Sequence, residues 1–192
     1  MNPVNDVPPR PTNLAQMIIK ERIHHGDVVI DATAGNGHDT VFLAECVGAG
    51  GRVLAFDVQA QAILSARQRA EAAGLAAVID FHQINHARLA EYADQESVSA
   101  VMFNLGYLPG EDHELTTAMV DTLTALNAAA SVLKPGGVIS VICYPGHQAG
   151  EAEALAVKNW MTHLSAEGWR VAEYGLLGTL RPAPFLLVAA KR

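Results

Sequence analysis

The sequence predicts an open α/β fold: a mostly parallel, seven-stranded sheet with an antiparallel last strand and helices on both faces. From residue 13 onward, short apolar runs of strand length alternate with helix-forming stretches, which is typical of a parallel sheet covered by helices. Only residues 178–184 separate the last two apolar runs, and such a loop is too short for a crossover helix. We therefore expect one domain at 13–192, preceded by a flexible, proline-rich segment at 1–12.

Each element follows from a local pattern in the sequence. Apolar runs predict strands at 27–32, 52–57, 78–82, 98–104, 138–143, 170–177 and 185–190. Helix-forming stretches predict helices that begin at a cap on Thr12 or Asn13 and end near Ile23, and at 38–47, 59–73, 87–92, 116–133 and 151–167. The glycine cluster Gly48, Gly50 and Gly51, the single Gly74 and the run 134–137 are expected to end the helices before them.

Composition limits the class of protein. Half of the residues are hydrophobic and 17% are charged, as in a folded globular chain, and no apolar run is long enough to cross a bilayer. Two cysteines without a Cys-x-x-Cys pair predict neither a disulfide scaffold nor a zinc site, so we expect a reducing cytoplasm and no metal. The net charge of −7 favours a small-molecule enzyme over a protein that captures a polyanion unaided.

The first predicted strand ends in a glycine turn, residues 31–40, with the sequence Asp-Ala-Thr-Ala-Gly-Asn-Gly-His-Asp-Thr. Gly35 and Gly37 would let the backbone approach a ligand closely, and the helix that follows presents free N–H groups. The third glycine of the dinucleotide fingerprint is replaced by Thr40. Asp31 precedes the turn, where it could reach the ammonium group of a methionine moiety, so the turn favours S-adenosylmethionine (SAM) over a dinucleotide. Alternatively, Asp31 only caps the turn.

Further residues extend this expected cofactor site. Asp57 ends the second strand, where a carboxylate can accept both hydroxyls of a ribose, and Gln59 follows it. After the third strand, Asn85 and His86 occupy the position at which class I methyltransferases hold the adenine edge, although His86 could be a surface histidine. The expected cofactor residues are Asp31, Gly35, Asn36, Gly37, Asp39, Asp57, Gln59, Asn85 and His86.

The fourth strand ends at the expected site of catalysis. Asn104 and Tyr107 have a spacing that resembles the Asn-Pro-Pro-Tyr turn of amino-group methyltransferases. An Asn side-chain oxygen can hold the hydrogens of an amine so that its lone pair points in line, and Tyr107 could pack against a planar base. After the fifth strand, Tyr144 and His147 are expected to line the substrate pocket. The alternative is a structural turn, with Asn104 bonded to the backbone and Tyr107 in the core.

Several segments together resemble one family. The glycine turn at 31–40, Ala-Phe-Asp-Val-Gln at 55–59, Phe-Asn-Leu-Gly-Tyr-Leu-Pro-Gly at 103–110 and Tyr-Pro-Gly-His at 144–147 are similar to the small "putative rRNA methylase" family. That family includes bacterial tRNA 5-aminomethyl-2-thiouridine methyltransferases. The resemblance implies a class I methyltransferase fold, SAM as methyl donor, and methylation of the aminomethyl group on the wobble uridine in the anticodon region of tRNA.

Other functions stay open from sequence alone. They are methylation of rRNA or of a small-molecule amine, a SAM-binding module without catalysis, and an NAD-linked oxidoreductase. The closing segment reads Arg-Pro-Ala-Pro-Phe at 181–185 where the family tends to have an Asn first, which weakens the assignment of the exact substrate. A homodimer would merge the scattered basic residues into a patch for RNA, and we state this as a hypothesis.

Overall fold

The computed structural model describes residues 8–106, 115–146 and 148–192. Its seven strands form one sheet in the order β3-β2-β1-β4-β5-β7-β6. The strands are β1 Val28–Asp31, β2 Arg52–Asp57, β3 Ile79–Gln83, β4 Val98–Asn104, β5 Leu133–Cys143, β6 Arg170–Gly175 and β7 Phe185–Ala190. The helices are α1 Pro11–Lys20, α2 His38–Val47, α3 Ala60–Ala72, α4 Leu115–Val132 and α5 Gln148–Ala166, with short 3₁₀ helices at Ala76–Val78 and His86–Glu91.

Strand direction agrees with the prediction. β1 pairs in parallel with β2 and β4, β2 with β3, and β4 with β5. β7 runs antiparallel to both of its neighbours, β5 and β6. Because the parallel strands all end at the same edge, the loops after β1, β2, β3, β4 and β5 meet there.

Helices cover both faces of the sheet, as predicted. Successive strand residues point to opposite sides, and in the central strands both sets of side chains are mostly apolar. On β1, Val29 belongs to the apolar layer under α1, α2 and α3, whereas Ile30 belongs to the layer under α4 and α5. Both side chains are fully buried. Alternation of this kind in apolar strands requires two helical layers, since neither face can be left to water.

The first helix differs from its prediction at both ends. It begins at Pro11 with Arg10 as N-cap, not with a cap on Thr12 or Asn13, and it ends at Lys20, not near Ile23. Proline suits the first helical position because its fixed φ fits a helix and its missing N–H would have no partner there. The helix therefore starts inside the segment 1–12 that the sequence predicts to be flexible.

Residues 133–137 also differ from the expectation of a helix stop followed by a strand from 138. Leu133 already pairs with Val98, and the register then shifts before Val138 pairs with Ala100. Gly136 donates to the Lys191 carbonyl at 3.0 Å with a φ of +79°, so the glycine forms a bulge within β5. The predicted helix at 87–92 is instead the 3₁₀ helix His86–Glu91, and β6 stops two residues earlier than expected, at Gly175.

Among the described residues, no helix is long and apolar enough to cross a membrane.

Candidate active site

The glycine turn after β1 is fixed by backbone bonds and by close packing. Ala34 donates to the Phe56 carbonyl at 2.8 Å, which joins the turn to the end of β2. Gly35 and Gly37 have φ values of +49° and +78°, in the region that favours glycine. A Cβ added to Gly37 would lie 2.6 Å from the Cα of Ala66 on α3. The second glycine is therefore needed both for its backbone conformation and for the contact with α3.

Asp57 lies half-buried at the end of β2 and organises the turn. Its Oδ2 accepts the Gly35 N–H at 2.9 Å, and its Oδ1 accepts the Gln59 N–H at 2.9 Å. A carboxylate oxygen has more than one acceptor direction, so these bonds leave capacity for ribose hydroxyls. The structure thus places Asp57, Gly35 and Gln59 together, as the sequence predicted.

Asp31 is buried at the end of β1, with 1% of its surface exposed. Its Oδ2 accepts the Thr40 hydroxyl at 2.5 Å, and its Oδ1 accepts the Thr33 N–H at 3.1 Å. Burial, reinforced by the negative charge of Asp39, raises the pKa of Asp31 to about 7. The carboxyl therefore does cap the turn, and it also forms a buried acidic centre in it.

Two other residues of the turn contact neighbouring helices. Asp39, in the first turn of α2, accepts a hydrogen bond from the Gln16 side chain of α1 at 2.8 Å. The Asn36 carbonyl accepts the Arg69 Nε–H of α3 at 2.6 Å, and the Asn36 side chain is on the surface. These contacts hold the turn between α1 and α3.

The residues after β3 form the next part of the site. The Asn85 oxygen caps the 3₁₀ helix by accepting the Ala87 N–H at 2.8 Å, and the Asn85 amide donates to Asp121 of α4 at 2.6 Å. The His86 Nδ1 donates to the Ala32 carbonyl at 3.0 Å, because a carbonyl can only accept. Burial lowers the pKa of His86, so the ring is neutral with Nε2 as an acceptor. Adenine contact by these two residues stays a prediction.

Asn104, at the end of β4, is held from two sides. Its backbone N–H donates to the Thr33 hydroxyl at 2.7 Å, and its side chain hydrogen-bonds the Tyr144 hydroxyl after β5. Burial raises the pKa of Tyr144, while the bond with Asn104 acts to lower it. The Asn104 side chain is thus tied to the residue that follows β5.

The rest of the predicted acceptor end is only partly described. Tyr144 packs its ring beside Gly106, where an added Cβ would lie 3.3 Å from the ring. Tyr107 and His147 lie outside the described residues. Cys143 is buried at the end of β5, where burial raises the pKa of its thiol to about 12, so it is a core residue and a poor nucleophile.

A groove of 730 Å³ opens elsewhere, between α2 and α3, with Asn36, Ser65 and Arg69 among its lining residues. It borders the outer side of the glycine turn but contains neither Asp57 nor Asn104. We therefore place the chemistry at the strand ends and not in this groove.

The residues at the strand ends fit SAM. The negative charges of Asp39 and Asp57 both act to raise the pKa of the buried Asp31, so the carboxylates of the turn repel one another. SAM carries an ammonium and a sulfonium, and either charge would relieve this repulsion. A dinucleotide brings a pyrophosphate, whose negative charge would add to it. The charge of the turn thus agrees with the missing third glycine.

The strand order, together with the acidic glycine turn after β1, defines a SAM-dependent methyltransferase of class I. The sequence profile of the family described as "Putative rRNA methylase" matches residues 53–190, and the chain belongs to this family.

Two solved structures and two curated relatives support the assignment. The chain is similar to a crystal structure described as "putative rRNA-methylase" from Clostridium thermocellum (TM-score 0.89, 34% identity, 95% of this chain and 98% of that one). It is also similar to a Streptococcus mutans methyltransferase solved with S-adenosylhomocysteine (SAH) (TM-score 0.84, 30% identity, 95% and 98%). A chloroplastic tRNA (mnm(5)s(2)U34)-methyltransferase of Arabidopsis thaliana is 36% identical over 94% of this chain and 69% of its own length. The tRNA 5-carboxymethoxyuridine methyltransferase of Escherichia coli K12 is 32% identical over 62% of this chain and 41% of its length.

Sequence reasoning missed four residues that hold the site together. Thr33 and Thr40 lie inside the glycine turn at 31–40. A hydroxyl residue on each side of Gly35 and Gly37 is the sequence signal that indicates them. Gln16 and Asp121 contact residues 23 and 36 positions away along the chain, and no local pattern indicates either contact.

Proposed function

We propose that this protein is a SAM-dependent N-methyltransferase that acts on the aminomethyl group of a modified wobble uridine in tRNA. The observation that carries the proposal is the arrangement of Asn104, which ends β4 beside the glycine turn with its backbone N–H bonded to Thr33 and its side chain bonded to Tyr144. The cofactor is proposed to contact the residues predicted for it: Asp31, Gly35, Asn36, Gly37, Asp39, Asp57, Gln59, Asn85 and His86.

When bound, SAM supplies a methyl group on a positively charged sulfur, which an amine lone pair can displace. Asn104 Oδ1 can accept one amine hydrogen and so orient the lone pair of a neutral amine along the line of transfer. A strong general base is not required, because the amine can lose its extra proton after transfer. Tyr144 holds the Asn104 side chain through a hydrogen bond, and Tyr107 and His147 remain proposed walls of the substrate pocket.

The relatives support RNA as the substrate class. The Arabidopsis relative is named for uridine 34 of tRNA, and the chain aligns with it over 94% of its own length. The E. coli relative is also named for a modified uridine of tRNA, although its acceptor is a carboxymethoxy group. Transfer to an amine, as opposed to a carboxylate, is what the Asn104 arrangement favours, because an oxygen acceptor can hold an N–H but not an ionised carboxylate.

The test uses tRNA that carries the aminomethyl group but lacks the terminal methyl. Incubation with SAM and analysis of nucleosides by mass spectrometry should show a gain of one methyl on that uridine. Asn104→Ala should lower kcat about 100-fold with little change in SAH affinity, since Asn104 acts on the acceptor. Asn127→Ala is the matched control, because Asn127 bonds Trp160 between α4 and α5. No methyl gain with the wild type would refute the proposal.

A second candidate, methylation of a small-molecule amine, is favoured by charge. The net charge is −7, and within the described chain the residues Arg52, Arg88, Lys134, Lys158 and Lys191 each pair with a carboxylate. Paired basic residues offer less to phosphates. Methylation of free amines, with no binding or reaction of tRNA or rRNA, would select this candidate. The homodimer hypothesis is checked by sedimentation with and without tRNA, and a monomer throughout would reject it.

A further inference from the structure

We infer that Thr33 is a positioning residue, which sets the distance between the methyl donor and Asn104 by bonding the glycine turn to β4. The inference rests on the proposed role of Asn104.

Thr33 contributes one bond to each side of the site. Its hydroxyl oxygen accepts the Asn104 N–H at 2.7 Å, a contact between residues 71 positions apart. Its own N–H donates to Asp31 Oδ1 at 3.1 Å, and Asp31 is held in turn by Thr40. The glycine turn and Asn104 are thus joined through the Thr33 side chain.

The geometry of the sheet explains why a side chain is needed at this point. The last regular bond between β1 and β4 runs from the Ala32 N–H to the Met102 carbonyl at 2.9 Å. In a parallel pair the next bond would run from the Asn104 N–H to the Ala32 carbonyl. That carbonyl accepts His86 Nδ1, and the chain turns away from the sheet after Asp31. The Thr33 hydroxyl takes the place of the carbonyl and extends the pairing by one residue.

This extension affects the chemistry because Asn104 is the last residue of β4. On the other side of β4, the Leu105 N–H donates to the Ile142 carbonyl of β5 at 3.0 Å, so β5 alone would fix only one side of this segment. Methyl transfer requires the reacting atoms to approach within about 3–3.5 Å, and a displacement of about 1 Å can cost on the order of 100-fold in rate. Loss of the Thr33 bond would therefore reduce catalysis more than cofactor binding.

Thr33→Val keeps the shape of the side chain and removes the acceptor, whereas Thr33→Ser keeps the hydroxyl. We expect Thr33→Val to lower kcat about 10–100-fold while the Kd for SAH changes less than about threefold, and Thr33→Ser to stay within about threefold of wild type. Thr122→Val is the control, because the buried Thr122 hydroxyl bonds Glu153 between α4 and α5 at 2.7 Å. An equal loss of kcat in the Thr33→Val and Thr122→Val variants, or no recovery with Thr33→Ser, would overturn the inference.

A second readout does not depend on the substrate. Hydrogen exchange of the Asn104 amide, measured by NMR in wild type and both Thr33 variants, should be at least about tenfold faster in Thr33→Val only. Unchanged exchange in Thr33→Val would overturn the inference even if the enzyme methylates tRNA. If the wild type leaves tRNA unmethylated while the Asn104 amide behaves as expected, the proposed substrate is wrong and the link from Thr33 to Asn104 stands.

Discussion

Replacing Gly37 by alanine tests how the glycine turn is packed against α3. The added methyl would meet the Ala66 Cα at 2.6 Å, and a backbone atom within a helix cannot move aside as a flexible side chain can. A left-handed φ costs an alanine about 1–2 kcal/mol, and forcing extra volume into a packed site costs about 1–3 kcal/mol more. We therefore expect Gly37→Ala to lower the free energy of unfolding by about 2–5 kcal/mol.

Gly74 provides a matched control for that prediction. It has a similar φ, +71°, but an added Cβ would have no atom within 4 Å, so Gly74→Ala carries only the backbone cost. For a chain of this size each kcal/mol lowers Tm by about 2–4 °C, so Gly37→Ala should melt a further ~2–12 °C below Gly74→Ala. Thermal unfolding followed by circular dichroism measures both. If the two variants melted within about 1 °C of each other, the contact between Gly37 and α3 would be refuted.

Three further predictions concern charged groups. Asp57→Asn should raise the Kd for SAH about 10–100-fold in calorimetry, since a bond to a charged acceptor contributes about 1.5–3 kcal/mol, whereas the exposed Asp80→Asn should leave it unchanged. The pKa of Asp31 is about 7, against 3.8 as the ordinary value, so between these pH values the folded protein keeps a proton that the unfolded chain has lost. The free energy of unfolding should therefore fall as the pH rises from about 4 to about 7. Asp31→Asn should flatten that slope. Burial acts to raise the pKa of Asp27, but the bonds from Lys134 and the backbone lower it overall. The contribution of Asp27 to the free energy of unfolding is therefore present above pH 3.8 and is lost as the pH falls below it. Lys134→Met should reduce the loss of stability in that range, and an unchanged acid transition would contradict this.

Much of the fold followed from local patterns. Four elements, α2, β2, β4 and β7, have the predicted bounds, because glycines, prolines or charged residues mark their ends clearly. The bulge at Gly136 did not follow, since a Pro-Gly-Gly run has the same signature in a helix stop and in an irregular strand. What decides between them is pairing with Val98 and Lys191, which lie far away along the chain.

The candidate site was predictable to the same extent and for the same reason. Residues such as Asp31 and Asp57 stand at the ends of strands, and parallel strands bring their ends together whatever the details of packing. The partners of those residues depend on contacts across the fold. The bond from Asn104 to Thr33 is an example, because nothing near either residue indicates which hydroxyl would replace a carbonyl of the sheet.

The strand order has a consequence for how substrate preference can change. Among the five parallel strands β1 is central, with β2 and β3 on one side and β4 and β5 on the other. The residues proposed to hold the donor come from the ends of β1, β2 and β3, and those proposed to face the acceptor come from the ends of β4 and β5. On these proposals, substitutions in the loops after β4 and β5 alter which group receives the methyl while the donor site is preserved. An amine-methylating and a carboxylate-methylating enzyme can in this way share one half of a sheet and differ in the other.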